Sequence, residues 1–122
     1  MNNIDENKEK EERIENEVII DAYGSYEKVT GWYCYLNDKI TFPFSAVCIK
    51  ELKNSPLKEE EHVSVLETSE DEDNLSGLHV IVEYNGRKFE VPLAQLKPLN
   101  VDRNTKKAIE DWHYWVNRGY LF

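Results

Sequence analysis

Carboxylates are the residues of this chain whose type and spacing suit chemistry. Between positions 59 and 73 stand Glu59, Glu60, Glu61, Glu67, Glu70, Asp71, Glu72 and Asp73, with no Lys or Arg among them. Like charges so close together repel one another, a cost that solvent or a bound cation relieves. Calcium takes about six to eight hard oxygen ligands, and a carboxylate-rich loop can supply several. Charge runs in loops are also commonly just solvated, so composition leaves both readings open. A further carboxylate, Asp38, sits in the polar corner Asn37-Asp38-Lys39, within the aromatic stretch from Gly31 to Phe44. Apolar residues flank that corner, which must therefore turn the chain between two packed elements. A carboxylate there is either a structural cap or a ligand.

Other chemistries find less support. An EF-hand loop begun at Asp71 would place Leu75 at its fifth position, Ser76 where glycine is needed and Val82 where the closing glutamate belongs. A calcium site here is therefore not an EF-hand. The cluster is all oxygen, which argues against softer metals. His62, His79 and His113 are isolated, and His113, between Trp112 and Tyr114, reads as a surface or packing residue. No serine elbow, phosphate loop, HExxH or Cys-His signature appears, and carboxylates crowded on a loop are poorly fixed for acid–base work. The sequence is not that of an enzyme.

The totals agree with a binding protein. At 122 residues the chain reads as one domain, with residues 1–9 a frayed acidic tail and 10–122 the folded unit. The net charge of −9 opposes nucleic acid and anionic membranes, and favours cations and basic proteins. The N-terminal MNNIDENKEKEE lacks a signal-peptide core, and no run approaches the ~20 apolar residues of a membrane span. A cytoplasmic protein with reduced thiols is expected. Cys34 and Cys48, set among apolar residues at no metal-ligand spacing, read as core.

The elements that must position these groups follow from periodicity. Ile14, Val18 and Ala22 are spaced for a helix starting near Glu11, which Gly24 would end, with Ser25 capping the next. In that second helix Tyr26, Val29, Tyr33 and Leu36 form the expected buried stripe, ending near Asn37-Asp38. Pro43 then holds Phe42 extended. Strands are predicted over Phe44–Lys50, His62–Thr68, Leu78–Tyr84, Arg87–Val91 and Leu96–Leu99, with Val63, Val65 and Glu67 sharing one face. Asn85-Gly86 is the signature of a two-residue hairpin, and Pro92 closes the strand after it. Leu93-Ala94-Gln95 suits a 3₁₀ turn. A last helix, capped by Asp102 or Asn104, presents Trp112, Trp115 and Val116 as an apolar stripe before Gly119. The expected class is α+β: a small SH3-like β-barrel of about five strands, with helices at both ends of the chain.

Several segments together resemble the CcbP-type bacterial calcium-binding proteins. They are DAYG at 21–24, GWYCYLND at 31–38, FPF at 42–44, VPLAQL at 91–96 and DWHYWVNRGYLF at 111–122, in the family's order and across nearly the whole chain. The resemblance implies a small acidic protein that binds calcium outside any EF-hand, with a buffering or sequestering role. It makes Asp38 the leading ligand candidate, with Asp71, Glu72 and Asp73 beside it and Glu70 and Glu67 as extensions. The acidic run differs in sequence from the family's. The alternative is a metal-independent, acidic SH3-like interaction module that meets a basic protein partner.

Overall fold

The structure is a computed structural model that describes residues 7–20, 22–53, 55–69 and 78–120. Helix α1 (Lys8–Arg13) runs directly into a π-helical turn (Ile14–Val18), and α2 spans Ser25–Lys39. Strands β1 (Phe44–Cys48), β2 (His62–Thr68), β3 (His79–Tyr84), β4 (Arg87–Pro92) and β5 (Leu96–Leu99) follow, with a 3₁₀ turn (Leu93–Gln95) between the last two. Helix α3 (Arg103–Asn117) completes the fold. The first helix thus starts ahead of the expected Glu11, where the Asn7 side chain caps it by accepting from Lys10 N–H at 3.0 Å.

The five strands form one antiparallel sheet in the order β4-β3-β2-β1-β5. Its inner face carries Ala46, Val63, Val65, Val80, Val82 and Val91, all buried. Asn85, at φ 51°, and Gly86, at φ 76°, turn the predicted hairpin between β3 and β4. A bulge between Val65 and Glu67 breaks the alternation of β2. It turns Glu67 to solvent and brings Thr68 inward, so Glu67 does not share the face of Val63 and Val65.

The sheet is open, not the closed barrel expected from the sequence. No pairing joins β4 to β5, and the outer edge of β5 is already covered. Ile49 N–H donates to Gln95 O at 2.8 Å, which makes Leu96 and Pro98 the β5 residues whose peptide groups face away from β1. Proline has no N–H to offer on that edge. The outward carbonyl of Leu96 accepts instead from His113 Nε2, 2.7 Å away on α3. One strand edge is thereby closed to further pairing by a proline and a helix.

The helices pack through aromatic rings and one buried charge. Trp32, fully buried on α2, meets Trp112 and Trp115 of α3 with ring centroids 5.0 and 5.6 Å apart. The buried residues of α2 are Trp32, Tyr35 and Leu36, whereas Tyr26 is 66% exposed, so the helix is rotated from the predicted stripe. Gly31 explains the rotation: a Cβ there would lie 2.2 Å from Val18 O, so only glycine lets the π turn approach this face. The same rotation exposes Cys34 while Cys48 stays buried, against the expectation that both are core. Gly24, expected as a left-handed cap, is instead the extended residue before α2, and Ser25 is already helical.

Asp111 of α3 is fully buried and ties the three helices together. Its carboxylate accepts from Arg13 Nη2 and Nε at 2.6 and 2.8 Å and from Tyr35 Oη at 2.8 Å, with Lys10 Nζ at 3.4 Å. The Asp111 hydrogen bond holds the Arg13 guanidinium above its usual pKa, and burial followed by Asp111 raises the Tyr35 phenol. Removing a partner from such a cluster strands a buried charge. Asp111→Ala should therefore cost about 3–5 kcal/mol in denaturant unfolding. Gly31→Ala should cost about 1–3 kcal/mol by overpacking.

Burial lowers the pKa of His113 despite the opposing bond to Leu96. Lys50 also lowers it and Glu110 raises it. The unfolded chain therefore binds the proton more readily, and stability falls as pH drops below the ordinary histidine value of about 6.5. Thermal midpoints measured from pH 7 down to 5 should decline, and His113→Gln, which keeps a donor for Leu96, should flatten that decline.

Candidate metal centre

The C-terminal end of α2 is held on three sides. Inside the helix, Ile40 N–H donates to Leu36 O at 2.9 Å, closing the last turn. Beyond it, Thr41 N–H donates to Thr105 Oγ1 and Thr41 Oγ1 to Asp102 Oδ2, both at 2.9 Å. Asp102 also caps α3 by accepting from Thr105 N–H at 2.7 Å, and its bonds to Thr105 hold its pKa below the usual carboxylate range. Towards the sheet, Thr68 Oγ1 donates to Asn37 Oδ1 at 2.8 Å. Thr68 is buried and ends β2, so the corner containing Asp38 is bonded to the strand from which the acidic run 70–73 departs.

Asp38 itself is on the last turn of α2, with its side chain 75% exposed and Oδ2 3.6 Å from Lys39 Nζ. An exposed pair of this kind contributes little to stability, so Asp38 is not needed to hold the corner. A cation there would also meet the negative end of the helix dipole and the unpaired carbonyls of its last turn. Glu70, Asp71, Glu72 and Asp73 lie outside the described residues. Among the described residues there is no group of three His, Cys, Asp or Glu side chains set to hold a metal ion.

Two residues at the base of the run escaped the sequence reading. Ser69 is buried, its N–H donates to His79 O at 2.9 Å, and its hydroxyl bonds Glu90 of β4. Glu90 is paired across the sheet with Ile81, which is paired with Glu67. Glu67 and Glu90 therefore flank Ile81 on the outer face of the sheet, both exposed. Counting outward from Asn85-Gly86 would have placed Glu90 opposite Ile81, but Glu67 needed the bulge. Oxygens of Asp38, Asn37, Glu67, Ser69 and Glu90 are hard donors of the kind calcium takes.

The rest of the acidic stretch serves another end of the molecule. Glu61 Oε2 accepts from Tyr84 Oη at 2.6 Å and Oε1 from Lys58 N–H at 2.7 Å, bonds that lower its pKa. Glu60 adopts φ 70°, its N–H donating to Cys48 O at 2.8 Å. The whole length of β2, roughly 20 Å at about 3.3 Å per residue, separates this turn from position 69. Glu59, Glu60 and Glu61 thus stand at the opposite end of β2 from Ser69.

The solved structures and families that resemble this chain point the same way. Residues 12–116 match the profile of the CcbP family, described as calcium binding. The crystal structure of Anabaena CcbP is 36% identical over 100% of both chains, with a TM-score of 0.88. A structure described as a calcium-binding protein in the calcium-binding form is 36% identical over 95% of both chains, with a TM-score of 0.84. No curated protein matches the chain. Among the described residues no helix is long and apolar enough to cross a membrane.

The clamp makes a specific expectation. Asn37→Ala and Thr68→Val should each weaken calcium binding in isothermal titration by severalfold, and the double variant should be little worse than either single change, because one bond is lost in all three. Fold stability in the absence of calcium should fall by only about 1 kcal/mol. With the sequence segments, the fold and the family profile in agreement, the chain belongs to the CcbP family of calcium-binding proteins.

Proposed function

We propose that this protein buffers or sequesters calcium in the cytoplasm, with Asp38 and the run Glu70, Asp71, Glu72 and Asp73 as the carboxylates that hold the ion. The observation that carries the reading is the Thr68–Asn37 hydrogen bond, which joins the corner of Asp38 to the base of the acidic run. Clustered carboxylates alone are a poor site, because their mutual repulsion spreads them. A carboxylate on a clamped helix end gives such a run a fixed partner. Glu67 and Glu90, exposed on the neighbouring strands, are available to extend the ligand set.

Buffering suits this geometry better than sensing. A sensor exposes a new surface on binding, whereas a buffer barely moves. Here the α2 corner is already bonded to β2 and to the start of α3, so the ion meets a preset helix end. The lack of any catalytic motif and the membership of a calcium-binding family support a binding protein over an enzyme.

Isothermal titration should show calcium binding that EGTA reverses. Thermal unfolding should shift upward with calcium, by roughly 2.7 kcal/mol of added stability at a hundred times the dissociation constant. Asp38→Ala should weaken at least one site by about tenfold, equivalent to about 1.4 kcal/mol. The apo protein should keep its stability within about 0.5 kcal/mol, as an exposed surface change does. Glu15→Ala, a carboxylate of the π turn, should leave calcium affinity unchanged. An equal loss from both variants would show that general negative charge, and not a site, binds the ion.

A further inference from the structure

A hollow of about 450 Å³ lies where α3, β5 and α1 meet. Ile109, Pro98 and Ile49 give it an apolar lining, and Ile49 is 44% exposed, one of the few large apolar side chains open to solvent among the described residues. Lysines reach it from three separate elements: Lys10 from α1, Lys97 from β5 and Lys106 from α3. Glu110 is the one carboxylate among its lining residues. In a chain of net charge −9 this is a local reversal of sign, and calcium ligation has no use for it.

The arrangement is elongated. Lys106 and Asn117 bound it along α3, roughly 16 Å apart at about 1.5 Å per helical residue. That length matches about five residues of extended peptide. The cations are spread along the hollow: Lys106 is near one end, while Lys10 sits level with Asp111, which its Nζ approaches to 3.4 Å. Spaced cations match carboxylates spaced along a chain better than a single anionic head on an acyl tail. The field of −9 repels a long polyanion or an anionic bilayer more strongly than a short segment with a few charges. Strand addition is closed off, because Pro98 lacks an N–H and His113 holds the Leu96 carbonyl. Recognition would therefore run through side chains.

We propose that this hollow docks an acidic segment of a partner protein: an extended run of about five residues in which Asp or Glu flank an apolar side chain. The carboxylates meet Lys10, Lys97 and Lys106, and the apolar side chain covers Ile49 and Pro98.

The test is an amide chemical-shift titration of the full chain with a blocked acidic hexapeptide that has Leu-Phe at its centre. Shifts should concentrate at Ile49, Lys97, Lys106, His113 and Asn117, weaken with salt, and be absent with a peptide in which lysines replace the acidic residues. The double variant Lys97→Glu/Lys106→Glu should raise the peptide dissociation constant by about tenfold or more. Circular dichroism should not change, since both lysines are exposed. The neutral pair Lys97→Gln/Lys106→Gln should fall between, which keeps the test independent of any folding defect from charge reversal. Absence of shifts at millimolar peptide, or shifts that survive both double variants, would overturn the proposal. So would stronger effects on the same residues from a single-stranded oligonucleotide or from phosphatidylserine vesicles.

Discussion

The carboxylate of Asp111 is shut away from solvent, and an ionised group in that position is tolerated only while donors surround it. Arg13 supplies two of those donors from α1 and Tyr35 a third from α2, so the charge on α3 fixes where both other helices must lie. The tryptophans fill the space that this arrangement leaves, and Gly31 allows the π turn to close upon it. Apolar packing alone tolerates rotation of a helix about its axis; a bidentate ion pair and a phenol hydroxyl do not. The direction of α2, and with it the position of its C-terminal corner, follows from a charge on α3 that Tyr35 reaches one turn before that corner.

Much of the fold was legible in sequence because its signals are local. Asn85-Gly86 announced a hairpin, Asp102 a helix start, and the spacing of Trp112, Trp115 and Val116 a packed face. The Asp111 cluster was not legible. Its partners lie 76 to 101 residues away in the chain, and an aspartate beside tryptophan in an amphipathic helix looks like part of the solvated face. The open sheet was missed for a similar reason. Five strands with these turns suggest closure, and the meeting of His113 with Leu96, which closes the last edge together with Pro98, joins residues 17 apart in the chain. The rotation of α2 was hidden because aromatic residues occur all round it, so periodicity offered more than one stripe.

The candidate site was half legible. Density of charge and resemblance singled out Asp38 and the run 70–73, but neither indicates how the Asp38 corner is tied to the strand that precedes the run. The link is Asn37 to Thr68, a contact across 31 residues between two uncharged side chains. Inward placement of Thr68 depends in turn on the bulge in β2, which sets the register of everything after Val65. The bulge thus does two things at once: it turns Glu67 outward and supplies the hydroxyl that receives the helix corner. Glutamates 59–61, which looked like part of the same cluster, are set apart from Ser69 by the length of β2 and serve a turn against Cys48.

All three tryptophans of the chain occupy one ring cluster between α2 and α3. Intrinsic fluorescence from this protein is therefore a report on a single place. At these separations excitation passes readily among the indoles, and the sheet contributes no tryptophan of its own. The cluster also begins on the helix whose far end carries Asp38, two helical turns further along. An ion seated at that corner without displacing α2 leaves the emission where it was, whereas one that pulls on the helix alters it. The spectroscopic silence or response of the indoles thus distinguishes storage of an ion from transmission of its arrival.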